Sequence, residues 1–449
     1  MSASAGLVSV RGAPRTLGVW MCTALIVGNV IGIGVFVLPA ALAPYGLNAF
    51  LGWLITAVGF VCLAIAFSGL ARHFPQDDGP YGYTVRAFGE ATAFIVMWCY
   101  WVSVWVTNVA IAIGVVGYVT VLLPIMGSGW FAPLTALSLV WLFVLINLRG
   151  ARAAGWVQML TTVLKLLPLL GVLCLGVWLL LTQPAVYVQH LPPNRLSFAQ
   201  ASSAATIAMF AMLGIECASI PANRVRDPQR TIARATLIGT VLTALIYIGA
   251  SAVPMLLIPQ GELATSNAPF ADVFARLFGA YSADIVAIFV IISGLGALNG
   301  WTLMIGEVTQ GLAKHGHFPA ALSRENVHGA PTLAFIVTGV IASAMLLSNY
   351  DQSIASGFTF LSVVVTAANL PLYIVCSIAI LVLRKRGGRG GRVAAGGRLW
   401  GVAAAAAALY CGWVLLGVGW KPLLWTSVLG AAGVPVYLGS RYFHRHRRV

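Results

Sequence analysis

Two ionisable residues stand where hydrocarbon would normally surround a side chain. Glu216 sits beside Gly214 in the apolar run 210–219, and Lys165 lies inside the apolar run that ends near residue 182. Charged groups in such places are costly, so they are functional candidates by default. A group that exchanges a proton as a site opens and closes would tie that motion to pH. Each also has a plainer reading. Glu216 could remain a protonated, hydrogen-bonded structural acid, and Lys165 could snorkel along its methylenes to water. Glu307 is another acid in an apolar run, but it lies near the end of that run, within reach of water. His315 and His317 have a metal-like spacing with no cysteine or carboxylate cluster to complete a site. No metal or cofactor is expected.

A second pattern concerns backbone rather than side chains. Gly32 and Gly34 flank Ile33 in the first apolar run, with Asn29 before them and Pro39 after. Residues without a β-carbon let a helix unwind. Unwound backbone deep in a membrane is tolerated only where it is buried or lines a cavity. A half-helix starting after Gly34 would present free N–H groups and a positive dipole end, a seat for a carboxylate. An unbroken helix crossing packed through its glycines is the alternative. The segment 210–219 is interrupted in a similar way around Gly214. Asn108 and the trio Asn299, Gly300 and Trp301 are further polar or aromatic marks within apolar runs.

The elements that must carry these residues follow from composition. Of 449 residues, 60% are apolar and 8% charged, against about 45–50% and about 25% in soluble domains. This excludes a soluble globular protein, and the hydrophobicity excludes disorder. The seven cysteines all fall in apolar stretches, so they form no disulfide framework. The net charge of +15 comes from cations scattered through short loops, which points to membrane topology and away from a nucleic-acid partner.

A helix needs roughly 20 apolar residues to cross a bilayer. Twelve transmembrane helices are expected, at about 17–41, 48–71, 91–124, 131–148, 156–182, 200–222, 233–258, 281–313, 332–349, 355–383, 399–418 and 422–440. The first is expected to be an uncleaved anchor. With the N-terminus inside, alternate loops and termini divide 22 Lys and Arg on the inside from 3 outside. That split supports cytoplasmic N- and C-termini.

The two interrupted helices are the first and the sixth, five spans apart. This spacing suits two five-helix repeats of inverted topology that build one central site. The expected organisation is a cytoplasmic segment 1–16, a first repeat 17–182 and a second, inverted repeat 200–383. A Gly- and Arg-rich cytoplasmic linker 384–398, two peripheral helices 399–440 and a basic tail 441–449 follow. The linker and tail carry enough charge to touch anionic lipid.

Several ordered segments resemble one family. GNVIGIGVFVLPAALAPYGLNAFLGWLITAVG looks like the first two helices of the amino acid–polyamine–organocation superfamily. DGPYGYTVRAFGE resembles the signature after the second helix, and GIECASIPANRVRDPQRTIARAT that of the sixth helix and the following loop. APFADVFARLFG, GWTLMIGE and HFPAALSRENVHGAPT continue the match in order, to about residue 383. The most similar branch is that of the basic amino acid/polyamine antiporters.

The resemblance implies alternating access around a central site in an inner-membrane transporter. Amides of Gly32, Ile33 and Gly34 would meet a substrate carboxylate, and carbonyls of the broken helices its ammonium. Asn108, Ile111 and Phe210 match substrate-contacting positions, and Trp301 matches an aromatic gate. Tyr100 matches a distal gate, Glu216 an acid of gating and pH response, and Lys165 a fifth-helix lysine linked to coupling. Homodimers occur in the resembled branch. Four departures bear on specificity: Ile33 in place of Ser, Phe210 in place of Trp, Ile111 in place of Met, and Asp78-Gly79 in place of Gly-Gly. The expected function is secondary transport of amino acids, with basic amino acids or their decarboxylated amines as one substrate class and neutral or apolar amino acids as the other. Exchange and proton symport both remain open. A channel or receptor would need polar pore rings or a sensor domain, and an enzyme a cluster of acid, base and nucleophile. The sequence has none of these.

Overall fold

In hydrocarbon every backbone N–H and C=O must be paired within its own segment, so a chain this apolar folds into helices. The computed structural model describes residues 18–74, 79–150, 160–161, 164–186, 195–215, 228–348, 352–386 and 397–446, and no strand occurs among them. The first expected span is two helices, α1 (Val19–Val30) and α2 (Gly34–Leu42). Then come α3 (Leu47–His73), α4 (Gly79–Phe88), α5 (Glu90–Leu122), α6 (Phe131–Leu148), α7 (Leu166–Thr182) and α8 (Phe198–Met212). The second half comprises α9 (Pro228–Leu257), α10 (Gln260–Leu263), α11 (Pro269–Phe278), α12 (Ala280–Lys314), α13 (Thr332–Ser348) and α14 (Ile354–Arg386). The chain closes with α15 (Gly397–Leu416), α16 (Trp420–Ala431) and α17 (Gly433–His446).

Eight described helices are long and apolar enough to cross a membrane, and four shorter apolar helices accompany them. The molecule is therefore an all-α multi-pass membrane protein. The structure redraws several expected boundaries. At the ends of the linker expected at 384–398, α14 continues to Arg386 and α15 begins at Gly397, and residues 387–396 lie outside the described residues. The last span expected at 422–440 divides at Ala432, and helix α17 runs on through residues 441–446, which were expected as tail. The amphipathic helices α4 and α11 were not expected at all. Neither is long enough to span, and hydropathy alone passes over them.

Helices α5 and α14 form the centre: in each, 78% of the most apolar window is buried. Helix α5 packs against α14 and α12, while α3 packs against α9, α8 and α15. Close approach relies on small residues, as is usual where lipid gives helices no hydrophobic reason to associate. A β-carbon on Gly52 of α3 would lie 2.9 Å from the Ala205 nitrogen of α8, too near for any side chain.

Candidate substrate site at the helix breaks

The first span breaks where its glycines are. Helix α1 ends at Val30 and Ile31 turns extended (φ −70°, ψ 106°), while α2 starts at Gly34. The Phe36 and Val37 amides return to the Ile33 carbonyl at 3.0 and 3.3 Å, so the amides ahead of them are the first-turn donors without an intrahelical acceptor. Two tyrosines hold the break. Tyr247 of α9 donates its hydroxyl to the Val30 carbonyl at 2.8 Å, and Tyr118 of α5 donates to the Phe36 carbonyl at 2.8 Å. The Tyr118 oxygen in turn accepts the Phe270 amide of α11 at 3.3 Å.

The sixth span also loses its helix at depth. Helix α8 ends at Met212, Leu213 is extended, and Gly214 adopts φ +108°, a conformation L side chains rarely take. Glu216 lies outside the described residues.

Between the breaks is a narrow cavity lined by Val30, Gly32, Ile33, Gly34, Thr107, Ile111, Phe210, Ala211, Leu213, Tyr247 and Trp301. It brings together six of the residues singled out from sequence: Gly32, Ile33, Gly34, Ile111, Phe210 and Trp301. None of the lining residues is charged. The indole of Trp301 faces Gly214, where a β-carbon would be 3.8 Å from its Cζ2. The Phe210 ring stands at 90° to that of Phe358, 5.6 Å between centres, which fixes its orientation. A β-carbon on Gly34 would lie 3.3 Å from the Phe210 ring, so the glycine keeps the floor of the cavity open. Ile33 is fully buried, and its side chain fills the notch left by Gly114 and Gly294 on α5 and α12. The branched sec-butyl side chain at this position thus also serves helix packing.

Asn108 is not part of this lining; its neighbour Thr107 is. The Asn108 side chain is buried, and its Oδ1 has no hydrogen-bond partner. Thr107 donates to the Ser103 carbonyl at 2.7 Å. Tyr100 is buried two turns nearer the start of α5, away from the cavity. Beside it Trp101 donates to Thr309 at 2.8 Å, and Asn369 donates to Ser103 at 2.8 Å, tying α5 to α12 and α14. Lys165 is buried at 1% exposure, which excludes snorkelling to water in this conformation. It precedes α7, and its amide bonds the Thr161 carbonyl at 3.0 Å. It does not line the cavity. Among the described residues no group of three His, Cys, Asp or Glu could hold a metal.

Sequence reading missed Tyr247, Tyr118 and Thr107. A single tyrosine or threonine in an apolar span is ordinary, and nothing local marks it as the partner of a distant carbonyl.

A family model for amino acid permeases matches residues 17–428, nearly the whole chain. The chain is 32% identical over 370 residues to a putrescine transporter of Escherichia coli strain K12, covering 82% of this chain and 84% of that protein. It is 31% identical over 393 residues to a putative arginine/ornithine antiporter of Bacillus subtilis strain 168, covering 80% and 83%. A cadaverine/lysine antiporter of Escherichia coli strain K12 is 29% identical over 341 residues, covering 74% of each. A cavity between two broken helices in an all-α membrane protein, with this match along the chain, has one consistent reading: the chain belongs to the amino acid permease family and is a secondary transporter, not an enzyme.

Proposed function

We propose that the chain moves amino acids, basic ones or their decarboxylated amines among them, across the inner membrane by alternating access around the central cavity. The observation that carries this reading is the opening of both broken helices onto one uncharged, aromatic-walled space. The amides at the start of α2 receive the substrate carboxylate, where unpaired donors and the helix dipole both favour an anion. Carbonyls at the ends of α1 and α8 receive the α-ammonium. Trp301 and Phe210 pack on the side chain and offer cation–π contact to a basic one. Asn108, with its orphan Oδ1, would reach the substrate only after a rotation of α5, and Tyr100 belongs to a gate beyond the site. Lys165 and Glu216 carry the response to protons. The two inverted repeats exchange access, with both termini cytoplasmic and a homodimer as the assembly.

A second reading, a permease for neutral or apolar amino acids, is favoured by the lining itself. Six of its residues are aliphatic or aromatic hydrocarbons, and none is an acid that would pair with a second amine. The α2 amides also favour a substrate that bears a carboxylate over a simple diamine.

Proteoliposomes separate these readings. Vesicles preloaded with arginine, ornithine, putrescine or leucine are assayed for uptake of each labelled compound, with and without a pH gradient. Uptake that depends on internal basic amino acid or amine supports the first reading. Uptake of leucine driven by the gradient into empty vesicles supports the second. Transport of none of the panel under either condition overturns both.

A further inference from the structure

Two arginines from two helix ends converge on the first turns of a third helix. Arg72, in the last turn of α3, holds its guanidinium 5.9 Å from the centre of the Trp400 ring. Arg384, in the last turn of α14, lies against Gly401, where a β-carbon would be 2.6 Å from its Nη1. Arg386 follows two residues later and donates to the Arg86 carbonyl at 3.5 Å. Trp400 itself is held firmly. It sits on Gly69, where a β-carbon would lie 3.0 Å from its Cε3 and 2.8 Å from Ile380 Cδ1. The His73 ring meets it edge-on at 5.0 Å. Among the described residues, Arg72, Arg384 and Arg386 form no ion pair with an acid.

Helix dipoles account for part of this charge. Helices α3, α4 and α14 each carry cations in the last turn, where the dipole favours them. The dipoles explain one cation per helix end but not why Arg72 and Arg384 meet at one indole. Like charges held together repel, and an anion shared between them offsets the repulsion. On the same helix as Trp400, Leu399 and Val402 are each 66% exposed, an apolar strip leading away from the arginines. An indole between a cationic rim and an apolar strip is the arrangement found where a protein crosses the membrane–water interface.

We propose that Arg72 and Arg384, with Trp400, bind the phosphate of an anionic phospholipid whose acyl chains lie along the Leu399 and Val402 face of α15. Arg72 and Arg384 come from opposite halves of the chain, so a lipid held by both ties the two halves together at the cationic side of the membrane. Its loss frees the ends of α3 and α14 to separate. The phosphate chemistry alone would equally accept a free anion; the apolar strip favours the lipid.

The test uses the full chain purified in neutral detergent, with thermal unfolding read in the presence of phosphatidylglycerol, phosphatidylcholine or inorganic phosphate. Phosphatidylglycerol is expected to raise the Tm by about 2 °C or more, as a ligand of the native state does. Phosphatidylcholine and inorganic phosphate should leave it unchanged. The Arg72→Gln/Arg384→Gln variant should lose the response, and Arg72→Lys/Arg384→Lys should keep part of it. If the glutamine pair folds poorly, the single Arg384→Gln variant serves instead, with the number of phosphatidylglycerol molecules retained in native mass spectrometry as the readout. A full response in the glutamine variant overturns the site. An equal response to inorganic phosphate overturns the lipid assignment. Asp77 and Asp78 lie outside the described residues. If Asp77→Asn/Asp78→Asn gains a response that the wild type lacks, those acids already neutralise the arginines and the proposal fails.

Discussion

The two sides of the first-helix break are built oppositely. Before the break the chain ends in a carbonyl, that of Val30, and Tyr247 bonds it from within the cavity wall. After the break the chain resumes with amides at Gly34, and the Tyr118 bond goes past them to the Phe36 carbonyl. Tyr118, which makes that bond, also accepts the Phe270 amide of α11, so the second half is tied to α11 as well as to α5. The end of α1 thus has an acceptor already engaged, whereas the start of α2 keeps its donors for a ligand. A broken helix is a polarised site because its neighbours satisfy one end and leave the other.

The largest effect should come from filling the donor side. Gly34→Val brings a branched side chain within contact of the Phe210 ring and over the free amides. Substrate binding should fall on the order of 100-fold, about 2.7 kcal/mol, while membrane insertion is unchanged. Binding to the purified protein by scintillation proximity checks this, and near wild-type affinity would mean that the α2 amides are not the carboxylate seat.

Next in size is the acceptor side. Tyr247→Phe leaves a buried carbonyl unpaired beside the cavity, a penalty of about 1–3 kcal/mol. Transport should drop roughly tenfold, through KM and kcat together, because the end of α1 is no longer held. Tyr118→Phe should spare uptake by comparison and act chiefly on stability, with a cost of about 1–2 kcal/mol, since its bonds lie behind the cavity. A larger transport defect in Tyr118→Phe than in Tyr247→Phe would reverse the comparison.

The smallest effect concerns the helix that Tyr118 reaches. Asp272 of α11 accepts a hydrogen bond from Ser266, and Glu262 forms an ion pair with Arg276 nearby. Burial pushes the Asp272 carboxyl above the ordinary 3.8, and Glu262 pushes the same way, against Ser266 and Arg276. A raised acid pKa means that the packed helix prefers the protonated form, so its ionisation costs stability as pH rises through the raised value. Asp272→Asn should therefore be slightly more stable than wild type at neutral pH, with the difference fading below pH 3.8. Thermal unfolding across this range measures it. A stability gap that grows on acidification would show that the interactions of the charged form outweigh burial.

Much of the cavity could be read from the chain, for a physical reason. Gly32 and Gly34 are out of place in an apolar run, Trp301 and Phe210 are bulky beside glycine or a break, and each signal is local. Asn108 was also conspicuous as a polar residue in an apolar span, yet helical rotation turns Thr107 and not Asn108 to the cavity. A position one residue away on a helix faces about 100° elsewhere, and sequence alone carries no reference for that angle. Helices α4 and α11 escaped notice because a ten-residue amphipathic helix has neither the length nor the unbroken hydrophobicity of a span.

Composition and hydropathy were enough to specify a helical membrane protein, since a chain with so few charges cannot leave its backbone unpaired in lipid and must form helices. The weak points of the first and sixth helices were also set locally, because missing β-carbons loosen a helix whatever surrounds it. Tertiary structure decided which groups those weak points meet. Tyr247, Tyr118 and Thr107 reach the site from other helices, Lys165 is sealed from water, and arginines from opposite halves of the chain gather at Trp400. These outcomes depend on crossing angles and rotations between helices that are far apart in sequence, and such long-range packing leaves no mark in any single segment.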